Sequence, residues 1–163
     1  MSFYVIIRGP LGCGKSTISA RLSKILKAEH ISVDRTLDEH NLTKDVEDGF
    51  ISERSFLKAN EIIAPKARSF LEKGVPVVFD GNFYRKSQVD DLIKRLDFRY
   101  YIFTLKAPLG VCIERDSKRT KIHGEDAVLA VYRKAVEFDY GIVIDVNRGL
   151  DKCTKYILSR LPK

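Results

Sequence analysis

Near its start the chain runs Gly9-Pro10-Leu11-Gly12-Cys13-Gly14-Lys15-Ser16-Thr17, a complete G-x-x-x-x-G-K-[ST] phosphate loop. Such a loop constrains the fold around it, because it works only between a strand and a helix. Both neighbours are legible. Phe3-Tyr4-Val5-Ile6-Ile7 is a β-branched and aromatic run, long enough for one buried strand. From Lys15 to Leu26, apolar residues fall at Ile18, Leu22, Ile25 and Leu26, which is helical spacing. In that setting the loop N–H groups converge on the β- and γ-phosphates of a nucleoside triphosphate, and the helix N-terminus adds partial positive charge. Gly9, Leu11, Gly12, Cys13 and Gly14 supply the backbone of the cradle. Lys15 reaches the phosphates, and the Ser16 hydroxyl, with Thr17 beside it, suits Mg²⁺. The expected cofactors are ATP and Mg²⁺.

Composition narrows the class. A chain of 163 residues is expected to form one domain, 1–163, with a full sheet-and-helix core. No stretch approaches the apolar length of a membrane span, and the N-terminal apolar run, interrupted by Arg8, is too short for a signal-peptide core. Cys13, Cys112 and Cys153 are odd in number and widely spaced, which argues for reduced thiols, a cytoplasmic setting and no disulfide-linked partner. The formal charge of +7 favours polyanionic partners. Its cations are dispersed in small groups such as Arg85-Lys86 and Lys118-Arg119, with no basic tail, and phosphate chemistry needs cations in any case. A nucleic acid therefore stays open as a partner alongside small molecules.

The remainder alternates strand and helix, the pattern of an α/β fold with a parallel sheet. His30 to Val33 reads as a second strand ending at Asp34, followed by a polar segment, 35–51, of loop and one short helix. Ser52 to Lys73 reads as a helix that Pro65 should kink or divide, with Gly74 as its stop. Val75 to Phe79 is the third strand, ending at Asp80. Arg99 to Leu105 is the fourth and Ile142 to Val146 the fifth. Helices are expected before Leu96, from Pro108 to about Lys118, from Glu125 to Phe138 and from Asp151 to Leu161.

Open α/β sheets bind ligands at the carboxyl ends of their strands, so Asp34 and Asp80 should face the phosphate site together. Phosphoryl transfer needs metal to offset charge, and a carboxylate to accept the acceptor's hydroxyl proton. Asp34 is read as the base, because the segment after it can wall an acceptor pocket. Asp80, after Val77-Val78-Phe79, is read as a Walker B-type carboxylate near Mg²⁺, although spacing alone leaves the two roles exchangeable. Arg115 and Arg119 stand at i and i+4, which on a helix puts both guanidiniums on one face, suited to developing phosphoryl charge. Phe83-Tyr84-Arg85, just after Asp80, is a candidate for acceptor contact. His30, His40 and His123 lack metal-ligand spacing with any cysteine pair.

With these motifs in order, the chain resembles the small P-loop kinases of the adenylate kinase superclass, especially the polynucleotide 5′-hydroxyl kinase and zeta-toxin-like branch. The resemblance rests on Gly9 to Thr17, Ser32-Val33-Asp34-Arg35, Val78-Phe79-Asp80-Gly81-Asn82-Phe83 and Glu114-Arg115-Asp116-Ser117-Lys118-Arg119. It implies a three-layer α/β/α sandwich with a five-stranded parallel sheet in the order 2-3-1-4-5. It also implies Asp34 as base, lid arginines Arg115 and Arg119 on the donor phosphates, and a pocket role for Asp80 and Asn82. Polynucleotide kinases carry an acceptor-phosphate arginine three residues after the base; this chain has Leu37 there, with Arg35 next to Asp34 as the available substitute. The expected activity is ATP- and Mg²⁺-dependent transfer of a γ-phosphate to a hydroxyl on a nucleic-acid 5′ end, a nucleoside or nucleotide, or another small metabolite. The alternatives are a nucleotide-switch ATPase with no phosphorylated acceptor and a binding protein without catalysis. Asp34 and the arginine pair argue against the binding protein, because phosphate binding alone does not require them. Against the switch stand the absence of an Asn-Lys-x-Asp base-reading signal and a length too short for a remodelling ATPase with its helical lid domain.

Overall fold

A computed structural model describes residues 2–163. Its centre is β1 (Phe3–Arg8), buried at every position. A parallel strand covered on both faces reads as a continuous apolar run rather than an alternating one. β1 pairs on one side with β5 (Val77–Gly81) and on the other with β6 (Arg99–Lys106), both parallel. Outside these lie β2 (Glu29–Ser32), against β5, and β7 (Ile142–Asp145), against β6, giving the sheet order β2-β5-β1-β6-β7. Counting only these five strands, this is the 2-3-1-4-5 order that the family resemblance implies. Helices α1 (Lys15–Leu26) and α7 (Leu150–Ser159) pack together, as do α3 (Glu53–Glu72) and α4 (Lys86–Leu96), completing the sandwich.

Several boundaries depart from the sequence reading. β2 stops at Ser32, and Val33 opens a short helix, α2 (Val33–Glu39). The Ser32 hydroxyl caps that helix by accepting from the Arg35 N–H at 3.3 Å, and this local cap prevails over the β preference of Val33. Asp34 therefore sits in the first turn of a helix, not at a strand end. The polar segment after α2 folds a two-residue hairpin, β3 (Val46–Glu47) with β4 (Phe50–Ile51). Its turn residues Asp48 and Gly49 both have positive φ, as a type I′ turn demands. Pro65 does not divide the helix: α3 runs unbroken from Glu53 to Glu72. Pro65 lies on the exposed face, where the carbonyl it leaves unpaired, that of Glu61, can meet solvent.

The last residue of β1 has an unusual task. Arg8 is fully buried and meets no carboxylate within ion-pair distance. Its guanidinium donates to Thr104 Oγ1 (3.2 Å) on β6, to the Phe138 carbonyl (3.0 Å) and to the Ala135 carbonyl (3.1 Å), and lies 4.0 Å from the centre of the Phe138 ring. Ala135 ends helix α6 (Glu125–Ala135), whose final carbonyls carry partial negative charge. Burial lowers the Arg8 pKa to about 10, with nearby Asp139 pulling it back up, so the group stays charged at neutral pH. Thr104 keeps its bonds to the Tyr140 backbone without it, but replacement by an apolar side chain would take the donor from the Ala135 and Phe138 carbonyls. Arg8→Met is expected to lower the unfolding free energy by about 2–3 kcal/mol, read from urea denaturation midpoints at an unchanged m-value.

Candidate active site

The loop between β1 and α1 forms the cradle that the motif implies. Gly12 has a φ of +77°, and a Cβ there would collide with the Cys112 carbonyl of helix α5 (Leu109–Ser117). Gly14 caps α1 with a φ of +98°; it provides no side-chain cap, and no acidic residue occupies the first turn. The orphan N–H groups of α1 are thus left for an external anion. Lys15 is buried in that first turn and donates its Nζ to the Pro10 carbonyl at 2.8 Å, so its ammonium is held within the loop.

A cleft of about 370 Å³ opens beside this loop. Leu11 and Ser16 border it from the loop side, and Asp34, Asp80 and Asn82 from the ends of the β2 and β5 segments. Arg119, Lys121 and His123 reach it from the turn between α5 and α6. Phosphate loop, two carboxylates and Arg119 therefore share one cavity. Asp34 accepts from the Asn82 backbone N–H at 3.3 Å. Burial raises the Asp34 pKa above the usual carboxylate range; Lys15 and the Asn82 N–H act in the opposite direction. Asp80 is buried, with its Oδ2 against His30 Nε2. Just past it, Phe83 is a buried aromatic residue at a φ of +41°, a strained conformation that large side chains rarely adopt. That kink follows Asn82 at the cleft wall, and strain of this kind is characteristic of functional sites.

The two arginines separate. α5 ends at Ser117, so Arg115 belongs to the helix while Arg119 lies in the turn beyond it, and they do not share a helix face. The helix stops because Asp116, buried, is drawn into the following loop: it accepts from the backbone N–H groups of His123 and Gly124, each at 3.0 Å, and contacts His123 Nδ1 at 2.8 Å. Burial by itself would raise the Asp116 pKa, but these hydrogen bonds hold it below the ordinary range. Arg115 points to the loop, donating to the Cys13 carbonyl at 3.2 Å, and Arg119 points to the cleft.

Two expected acceptor contacts lie elsewhere. Arg35 is exposed and does not border the cleft. Arg85 is held by Glu47 (3.6 Å) and Glu53 (3.7 Å), outside the cavity. Sequence reasoning missed the Asp116–His123 turn, and also the hairpin that brings Ile51 to the cleft wall. The hairpin had a signal in Asp48-Gly49, flanked by short apolar runs. The Asp116 turn had none, because its acceptor and donors meet only in space.

For Mg²⁺ the donor set is suitable. Ser16 and the carboxylate of Asp80 offer hard oxygens beside the cradle. Among the described residues no cluster of three or more His, Cys, Asp or Glu forms a metal cage of its own. The three cysteines are free and buried, and no helix among the described residues is long and apolar enough to cross a membrane.

Sheet order, phosphate loop and cleft together define the fold of the small P-loop kinases. Residues 5–138 match the AAA domain family, and the chain belongs to that family. No curated protein matches the sequence. Among solved structures the chain is similar to a sugar kinase from a Janibacter species, with 17% identity, a TM-score of 0.79 and coverage of 98% of this chain and 94% of the other. A gluconokinase from Sinorhizobium meliloti gives 16% identity and a TM-score of 0.74, covering 96% and 89% of the two chains. The APS kinase of Mycobacterium tuberculosis, solved with AMPPNP and APS, gives 16% and 0.69, covering 97% and 96%. At such identities the likeness is one of fold.

The raised pKa of Asp34 has a consequence for stability. The folded protein binds its proton more tightly than the unfolded chain, whose value is about 3.9. The stabilisation from this site is complete below that pH and is lost as pH rises through the window up to the folded value. Asp34→Asn should therefore stabilise the fold at pH 7, and the difference should vanish in acid, where both side chains are neutral. Thermal melts of the two proteins across pH would show it.

Proposed function

We propose that this protein transfers the γ-phosphate of ATP, bound with Mg²⁺, to a hydroxyl of a small molecule. The observation that carries this reading is the convergence of Ser16 of the phosphate loop, Asp34 and Arg119 on one cleft. A protein that only bound nucleotide would need the loop but not a desolvated carboxylate facing it. Mg²⁺, when bound, offsets charge on the phosphates. Lys15 and the orphan N–H groups of α1 hold the donor, and Arg119 stabilises charge developing on the transferred group.

Asp34 acts as general base. It takes the proton from the acceptor hydroxyl as the new oxygen–phosphorus bond forms, while the bond from the γ-phosphorus to its bridging oxygen breaks and ADP leaves. A raised pKa makes Asp34 a better proton acceptor than an ordinary carboxylate, provided the pH is high enough to ionise it. Sugar kinase and gluconokinase neighbours on the same fold support a small-molecule acceptor over the polynucleotide branch that the sequence resembles.

The test is transfer of labelled γ-phosphate. Lys15→Ala should abolish it, with a loss of about 10²-fold or more from missing charge stabilisation. Asp34→Asn should keep ATP affinity and lower turnover by about 10²-fold or more. In the unsubstituted protein, activity should fall as pH drops through an acid limb lying above the usual carboxylate range, and that limb should be absent from the residual rate of Asp34→Asn. Full turnover in Asp34→Asn would remove it as the base.

A further inference from the structure

Between α5 and α6 the chain runs without an apolar anchor. From residue 117 to residue 127 nothing is buried, and the large apolar residue of the turn, Ile122, is 60% exposed. Arg119, Lys121 and His123, which border the cleft, all belong to this stretch. Hydrophobic burial holds most of the fold in place, but it does not hold these three side chains.

What fixes the turn is polar, and it converges on one residue. Asp116, near the end of α5 and only 1% exposed, is tied to both ends of the turn. Its backbone carbonyl accepts from the Arg119 N–H at 3.1 Å. Its carboxylate accepts from the His123 and Gly124 N–H groups, each at 3.0 Å, and contacts the His123 ring at Nδ1, 2.8 Å away. Successive N–H groups that face one point make an anion-binding concavity, and here the anion is part of the chain. Gly124 flanks the start of α6 at a φ of +94°, so the carboxylate also lies at the positive end of that helix. By contrast, the link from the turn to α2 is an exposed pair, Lys121 with Asp38 at 3.4 Å, and a pair of that kind contributes little. Asp116 does not itself border the cleft, so it reaches the chemistry only through what it holds.

Resting on the kinase reading above, we propose that Asp116 is a positioning residue of the reaction. By closing the turn onto the end of α5, it sets where Arg119 stands against the γ-phosphate of the bound nucleotide. Without the carboxylate, the stretch from Ser117 to Gly124 keeps its helical start but loses its far anchor. The Arg119 guanidinium then samples many positions, of which few face the phosphate.

The experiment is a double-mutant cycle between Asp116 and Arg119, read both in transfer of labelled γ-phosphate and in MgATP affinity by calorimetry. The acceptor is whichever of D-glucose, D-gluconate, adenosine and a 5′-hydroxyl oligonucleotide takes label. Asp116→Ala should lower kcat by about tenfold or more while moving the acceptor KM by less than about twofold. Asp116→Asn, which keeps one acceptor oxygen for the turn, should recover part of that loss. In an Arg119→Ala background, Asp116→Ala should lower kcat by less than a further twofold or so, because the side chain it positions is gone. Each single variant should weaken MgATP binding by about threefold or more, again without additivity. An unchanged kcat in a folded Asp116→Ala protein, or losses that multiply in the double variant, overturns the inference and leaves the kinase reading standing. Absence of Lys15-dependent transfer to every compound overturns the kinase reading; non-additive losses of MgATP affinity then still uphold the placement of Arg119 by Asp116, and additive losses or none overturn it. Should Asp116→Ala fail to fold, the same cycle with Asp116→Asn decides.

Discussion

Arg8 enters the interior at the end of the central strand, and what it meets there are carbonyls and a hydroxyl rather than a carboxylate. The next residue begins the phosphate loop, so the strand carrying the guanidinium also carries the cradle. Through Thr104 the same group fixes β6, and through Ala135 and Phe138 it fixes the C-terminal end of α6, whose Val131 borders the cleft. A longer contact of 3.5 Å reaches the Phe83 carbonyl, beside Asn82. One buried cation thus ties the loop, the end of α6 and the segment after β5 into a single frame. A lysine could not replace it, since a point charge on a flexible stem lacks the planar fork that serves several acceptors at once.

Within that frame the site opposes two demands. The fold prefers Asp34 protonated, whereas the base role proposed for it requires it ionised, and the difference is a cost the rest of the core must carry. Phe83 adds to it by holding a left-handed backbone. Both features lie on the side of the cleft formed by α2 and the end of β5, while the phosphate-loop side is built from relaxed elements: a helix start, a glycine loop and buried Lys15 hydrogen-bonded to the loop backbone. The asymmetry is physical. Phosphates bind to fixed amides that any helix N-terminus provides, but a base must be held desolvated against the preference of its own charge.

Much of the fold was legible because its signals are local. The phosphate loop, the apolar run of β1 and the strand–helix alternation are written in consecutive residues, and they suffice for the sheet order once the resemblance is admitted. The site was legible as a set of residues but less so as an arrangement. Ser32 as a helix cap moved Asp34 from a strand end into a helical turn. The side chain of Asp116, turned into the loop beyond, ended α5 before Arg119 and separated two arginines that spacing had placed together. Arg35 and Arg85 looked suited to an acceptor by proximity in sequence, yet one faces solvent and the other is bound by Glu47 and Glu53. Arg8 read as an interruption of an apolar run, because nothing adjacent announces the distant carbonyls it serves. For Arg8 and Arg85 the partners are far apart in the chain, where periodicity and propensity carry no information; the Ser32 cap, three residues from its donor, was a local signal outweighed by the β preference of its neighbours.

The contact between α5 and the loop extends this into time. The Gly12 backbone lies against the Cys112 carbonyl with no room for a methyl group, and Arg115 reaches the Cys13 carbonyl from the same helix. The helix and the cradle are therefore joined before any nucleotide arrives, and the entropy of ordering them is lost during folding rather than at each binding event. Entry is correspondingly unhindered by loop ordering. Departure retraces the same path, so the preformed junction lowers the ordering cost of binding without adding a gate to release, and the lifetime of bound nucleotide is set by the contacts it makes with an already rigid cradle.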